Sequence, residues 1–156
     1  MKISLLAMQK TTGKQLPVLI ADYSGRASRY FPFTYKELPV KFPASVPSQV
    51  ICSKEGEILL GQLDTSDQLW LLDERGDRLT SASFADFLVS RQQENVKHLV
   101  FAIGGAYGFS PEVRNRSKGS IRLSDMTFTH QMVRLFFVEQ LYRAGTIIRN
   151  EPYHHS

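Results

Sequence analysis

Three groups of residues in this sequence have the types and spacing to do chemistry. The first is Gly104-Gly105-Ala106-Tyr107-Gly108, which follows the apolar run Leu99-Val100-Phe101-Ala102-Ile103. Glycines directly after a buried strand let the backbone approach a ligand closely and leave room for a flat ring. A tight turn is the other reading. The spacing is not the G-x-G-x-x-G dinucleotide fingerprint, and no Gly-Lys-Ser/Thr follows to make a phosphate loop. The second group, Ser124-Asp125-Met126-Thr127-Phe128-Thr129, offers hydroxyls, a carboxylate and free backbone groups to a polar ligand. Alternatively, Asp125 or Thr129 caps the helix that follows. The third group lies near the C-terminus: Arg134, Glu139 and Arg143, then Tyr153-His154-His155. One arginine could face a phosphate or a base, whereas Glu139 and Arg143, four apart, could pair along a helix face. Tyr153 and His154 suit stacking on, or hydrogen bonding to, an unpaired base. Two adjacent histidines without a third ligand cluster do not make a metal site, so no metal is expected.

These groups need elements to hold them. The pattern predicts strands at residues 3–8, 33–40, 69–73, 99–103 and 121–123, the third and fourth being uninterrupted apolar runs suited to burial on both faces. Helices are expected over 15–27, from a Ser48 cap to residue 63, over 83–93 and over 130–144. In the second of these, Val50, Ile51, Ile58 and Leu59 should face inward, and Arg75-Gly76-Asp77 should form a turn after the third strand. Alternating strands and helices with fully apolar strands argue for an α/β fold, a parallel sheet with helices on both faces. Ligands then bind beyond the carboxyl ends of the strands, where three loops fall: the one after Leu71-Leu72-Asp73, the glycine loop and Ser124–Thr129. The last helix is apolar nearly all round, so a second subunit is expected to cover one of its faces.

Composition narrows the class. The 156 residues suit one domain, with 42% apolar and 22% charged residues. No run is long enough for a membrane span. The N-terminal apolar stretch is interrupted by Gln9-Lys10 and reads as a strand rather than a signal sequence. One cysteine, Cys52, excludes an internal disulfide and a cysteine metal cluster, and a cytoplasmic protein fits best. The net charge of +4 is uneven: residues 1–100 carry a net +1 and residues 101–156 a net +3. A basic C-terminal third suits a polyanionic partner, although a solvated surface with a small positive excess gives the same balance.

The motifs, taken in order, carry a resemblance. Ile103-Gly104-Gly105-Ala106-Tyr107-Gly108 is similar to an I-G-G-x-x-G loop. Leu123-Ser124 through Thr127, His130, Val133-Arg134, Glu139-Gln140-Leu141-Tyr142-Arg143-Ala144 and Asn150-x-Pro152-Tyr153-His154 follow the same family's C-terminal signature. The chain resembles the RlmH family, SPOUT-class methyltransferases acting on a pseudouridine of 23S ribosomal RNA. The resemblance implies one domain over residues 1–156, an α/β knot in which the C-terminal segment threads a loop, a rare exception to unknotted chains. It implies S-adenosylmethionine (SAM) as methyl donor, with Leu72, Gly104, Ser124, Asp125, Met126, Thr127, Phe128 and Thr129 as its contacts. It implies a homodimer whose partner completes each active site. Two departures fall in the ligand loops: Thr129 stands where many relatives have proline, and Ala106-Tyr107 where many have Pro-Glu.

A SAM methyl is already activated by its sulfonium, so the main task is alignment with N3 of the pseudouridine. His154 or Arg143 would remove the N3 proton or stabilise the charge it leaves, and Tyr153 would hold the base. Without a separate RNA domain, recognition should rest on the shape of the ribosome, and naked RNA should be a poor substrate. Three readings compete: a knotted methyltransferase acting on transfer RNA, a non-catalytic ribosome-binding factor, and a flavodoxin-like nucleotide module. The last is disfavoured by the missing phosphate loop.

Overall fold

Successive side chains along a strand point to opposite faces, and that decides which of two cores each one enters. In a computed structural model, which describes residues 1–153, the elements in chain order are β1 (Lys2–Met8), α1 (Gln15–Ala27), β2 (Phe33–Leu38), α2 (Ser48–Leu60), β3 (Gln68–Arg78), α3 (Ser81–Gln93), β4 (His98–Ile103), α4 (Pro111–Arg116), β5 (Gly119–Arg122) and α5 (His130–Ile148). The strands form one sheet in the order β2-β1-β4-β3-β5. Every pairing is parallel. On one face Ile3, Leu5, Leu99, Phe101 and Ile103 pack against α1, α3 and α5. On the other, Leu6, Met8, Leu69, Leu71 and Val100 pack against Leu59 of α2 and Val113 of α4. Both faces are covered, as the continuous apolar strands require.

The structure departs from the sequence reading in five places. Residues 75–77 do not end the third strand. Asp73 Oδ1 accepts a hydrogen bond from the Arg75 backbone N–H at 2.9 Å, a local turn. The strand then resumes, pairing with β5 again at Asp77 and Arg78 after a register shift. Gly76 makes this crossing, because a Cβ there would lie 2.6 Å from the Ile121 nitrogen. Second, α4 was not anticipated, although Ser110 caps it and Pro111 opens it. Third, Pro47 rather than Ser48 precedes α2, and Val50 is exposed. Fourth, α3 begins at Ser81, where Thr80 and Ser83 form a reciprocal cap. Fifth, α5 continues to Ile148, because Ala144, Gly145 and Thr146 are buried like the residues before them.

The remaining feature is the return of the chain. β5 is an edge strand, yet Arg134 near the start of α5 donates to carbonyls at the end of β1, on the far side of β4 and β3. The segment between β5 and α5 therefore crosses over the carboxyl ends of the central strands. That crossing brings the third ligand loop beside the first two.

Candidate active site

The carboxyl ends of β3, β4 and β5 surround a cavity of about 430 Å³. Leu72-Asp73-Glu74-Arg75 form one wall, residues 103–109 a second, and residues 121–124 with 126–128 a third; His130 and Val133 of α5 close it. Six of the eight anticipated cofactor residues line it: Leu72, Gly104, Ser124, Met126, Thr127 and Phe128. Asp125 and Thr129 do not. The Asp125 carboxylate faces outward between Arg78 at 3.2 Å and Arg122 at 3.3 Å. Thr129 caps α5, its hydroxyl accepting from the Met132 backbone N–H at 3.3 Å. Within the loop, Ser124 Oγ accepts from the Met126 N–H at 2.9 Å, which bends the chain around the cavity.

The sequence points to the loop after Asp73, but not to the arginine that faces it. Arg114 of α4 donates to Asp73 Oδ2 at 2.7 Å, and both line the cavity. Burial alone would raise the Asp73 carboxyl, but the Arg75 N–H and the Arg114 guanidinium outweigh it and hold the group below its ordinary value. The cavity thus carries a fixed carboxylate at neutral pH. The His130 imidazole is depressed as well, by burial first and then by the Arg134 charge, which for an imidazole favours the neutral form. Arg114 lies on α4, the one helix that the sequence reading lacks.

Of the residues anticipated for catalysis, Arg143 and Tyr153 do not line this cavity. Arg143 is paired with Glu139, Nη2 to Oε1 at 2.6 Å, so the salt-bridge reading of these two holds. Tyr153 donates to the same Glu139 oxygen at 3.1 Å, and the Arg143 guanidinium lies 4.7 Å from the Tyr153 ring centre. Burial, then hydrogen bonds with Tyr23 and Glu139, push the Tyr153 phenol well above its ordinary value. His154 lies outside the described residues. Arg134, the other arginine of α5, is fully buried. It faces neither a phosphate nor a base, because its guanidinium is taken up by Met8 O, Gln9 O, Thr11 and Tyr35. Arg143 and His130 stand toward opposite ends of α5, and a rise of about 1.5 Å per residue puts them roughly 20 Å apart. Among the described residues no group of three or more His, Cys, Asp or Glu could hold a metal ion, and no helix is long and apolar enough to cross a membrane.

An all-parallel sheet with a glycine-loop cavity at its carboxyl edge is the class of α/β fold in which small organic ligands bind at the strand ends. Comparison makes this specific. A family model described as "Predicted SPOUT methyltransferase" matches residues 1–154, and the chain belongs to that family. It is similar to proteins named "Ribosomal RNA large subunit methyltransferase H" from Flavobacterium johnsoniae, Christiangramia forsetii and Trichlorobacter lovleyi. The identities are 48%, 47% and 46%, covering 99% of this chain and 99–100% of each relative. The chain is a methyltransferase.

Proposed function

We propose that this methyltransferase moves the methyl group of SAM to N3 of a pseudouridine in 23S ribosomal RNA, on assembled ribosomes in the cytoplasm, and that it works as a homodimer. The observation that carries the reading is the cavity bounded by the ends of β3, β4 and β5, together with the names of relatives that match from end to end. The cavity suits the donor. Its volume falls in the range for drug-sized ligands, Leu72, Ile103, Ile121 and Val133 give it apolar walls, and the glycine loop presents backbone groups to a ring. The Asp73 carboxylate in its wall is already paired with Arg114 and lies near Arg75, so the match to the donor rests on shape and backbone groups rather than on charge. Bound SAM supplies an electrophilic methyl carbon on a sulfonium.

The chain's own residues then have to present the base and handle its proton. Tyr153 would hold the base, Arg143 would stabilise negative charge developing on it, and His154 would accept the N3 proton. Since Arg143 and the cavity stand far apart on one subunit, the tail of the partner subunit would reach the cavity. The exposed apolar side chains Phe128 and Met132, at the cavity end of α5, suit such a contact. The crossing segment between β5 and α5 would be the part that forms the knot.

The test is transfer of labelled methyl from SAM to ribosomes of a strain lacking this gene, with isolated large subunits, naked 23S RNA and transfer RNA alongside. Label on one pseudouridine, mainly in assembled ribosomes, is expected. Label on transfer RNA alone, or SAM binding without transfer to any RNA, would refute the reading.

A further inference from the structure

Behind the glycine loop, on the side away from the cavity, lies a carboxyl group that the reaction above does not use. Glu55 of α2 is 4% exposed. Its Oε1 accepts a hydrogen bond from Gln9 Nε2 at 2.9 Å. Its Oε2 is buried and has no hydrogen-bond partner among the described residues. Burial pushes this carboxyl above its ordinary value and outweighs the Gln9 hydrogen bond, which acts against it. A half-satisfied buried carboxyl is costly, and an apolar side chain of similar volume would fill the same space at lower cost. The position therefore calls for an explanation other than packing.

Its neighbour supplies one. A Cβ built on Gly105 would lie 2.3 Å from Glu55 Oε2 and 2.6 Å from Oε1. The flat carboxyl thus occupies the place that a side chain of residue 105 would take. Gly105 is buried, and the loop that it shares with Gly104 and Gly108 forms a cavity wall on its other side. Behind Glu55, Gln9 continues the support: its carbonyl accepts from Arg134 Nη1 at 3.0 Å, which ties the assembly to α5. The next residue of α2, Gly56, leaves room for Ser110, since a Cβ there would be 2.5 Å from Ser110 Oγ. Two consecutive residues of α2 thus meet the two ends of the segment leading from the glycine loop to α4.

We propose that Glu55 is a positioning residue for the donor site: its carboxyl holds the Gly105 backbone from behind, so that the front of the loop keeps the shape that binds SAM. This rests on the reading of the cavity as the SAM site. Glu55 touches no reactant, so its effect falls on donor affinity rather than on the methyl-transfer step.

The experiment is SAM calorimetry on the full chain, paired with turnover at saturating SAM and a thermal melt. Glu55→Met should keep or raise the melting temperature, weaken SAM binding by about tenfold, and leave saturated turnover close to wild type. Glu55→Gln, which keeps a flat polar head against Gly105, should bind SAM within about threefold of wild type. A folded Glu55→Met variant with wild-type SAM affinity overturns the proposal. Should Glu55→Met fail to fold, Gly105→Ala, Glu55→Ala and their combination give a double-mutant cycle. Losses that do not add are expected, because carboxyl and glycine act as one unit, and strictly additive losses overturn the proposal. Wild-type protein that binds no SAM would overturn the reading of the cavity itself, and this inference with it.

Discussion

The Arg134 guanidinium donates to the Met8 carbonyl at 2.8 Å, joining the first turns of α5 to the end of β1 across most of the length of the sequence. The same side chain donates to Gln9 O at 3.0 Å and Thr11 Oγ1 at 2.9 Å, and stands 3.7 Å from Glu37. Glu37 would be raised by burial alone, but hydrogen bonds from Thr11 and Tyr35 and the Arg134 charge hold it below its ordinary value. Removing the arginine leaves the Met8 and Gln9 carbonyls without this donor and Glu37 without the nearby charge, although Thr11 and Tyr35 still donate to it. Arg134→Met should therefore cost about 3 kcal/mol or more in a urea melt. A loss under about 1 kcal/mol would show that the carbonyls find other partners.

Stability should also fall on mild acidification, through His130. Its folded pKa lies below the unfolded value of about 6.5. A group depressed in this way contributes stability above its unfolded pKa and loses it as pH falls through the folded one. The loss should begin near pH 6.5, while Asp73 and Glu37, also depressed, act only below about pH 4.5. His130→Gln should flatten the pH 5–7 limb of a stability profile, on the order of that window. An unchanged slope in the variant would assign the limb to another group.

Gly104→Val should weaken SAM binding by at least about tenfold in calorimetry. The reason differs from simple filling of the cavity. A Cβ on Gly104 would lie 2.9 Å from the Gly108 carbonyl, so the loop must open to accept it. Met126→Ala, at a residue 75% exposed although it lines the rim, should change affinity far less. Equal losses in the two variants would contradict this difference.

For the tail, Arg143→Ala, Tyr153→Phe and His154→Ala should each lower turnover, the largest by about 100-fold, while SAM affinity stays near wild type. Arg143→Ala also removes one of the donors to Glu139, so a melt should accompany it. Full turnover in all three would remove them from the chemistry.

Ribosome binding should weaken steeply with salt if Lys and Arg contacts to phosphate support it. A flat salt profile between about 50 and 200 mM would argue for an interface built mainly on other contacts.

The buried strands were legible because Leu69–Leu72 and Leu99–Ile103 admit little else, and Gly104 and Ser124 followed from where such strands end. Residues that act over long sequence separations were not legible. Nothing local marks Arg134 as the donor to Met8, Asp73 as the partner of Arg114, or Glu55 as the neighbour of Gly105. Each depends on how strands and helices pack side by side. The Ser110-Pro111 signal for α4 was local and readable, and it would have placed Arg114 on a helix facing the cavity. Thr129 shows the converse, because a hydroxyl with the right composition for a ligand contact serves as a cap.

The cavity and the Arg143–Tyr153 pair stand toward opposite ends of α5, and on the proposed reading this makes activity a matter of mass action. A lone subunit could hold the donor and still be mute, so specific activity should fall on dilution while SAM binding per chain persists. Mixing two impaired variants, Gly104→Val and Arg143→Ala, at a SAM level too low for the first, should bring activity back. Each mixed pair assembles one site from two sound halves and another from two damaged ones, so random exchange should restore about a quarter of the wild-type rate.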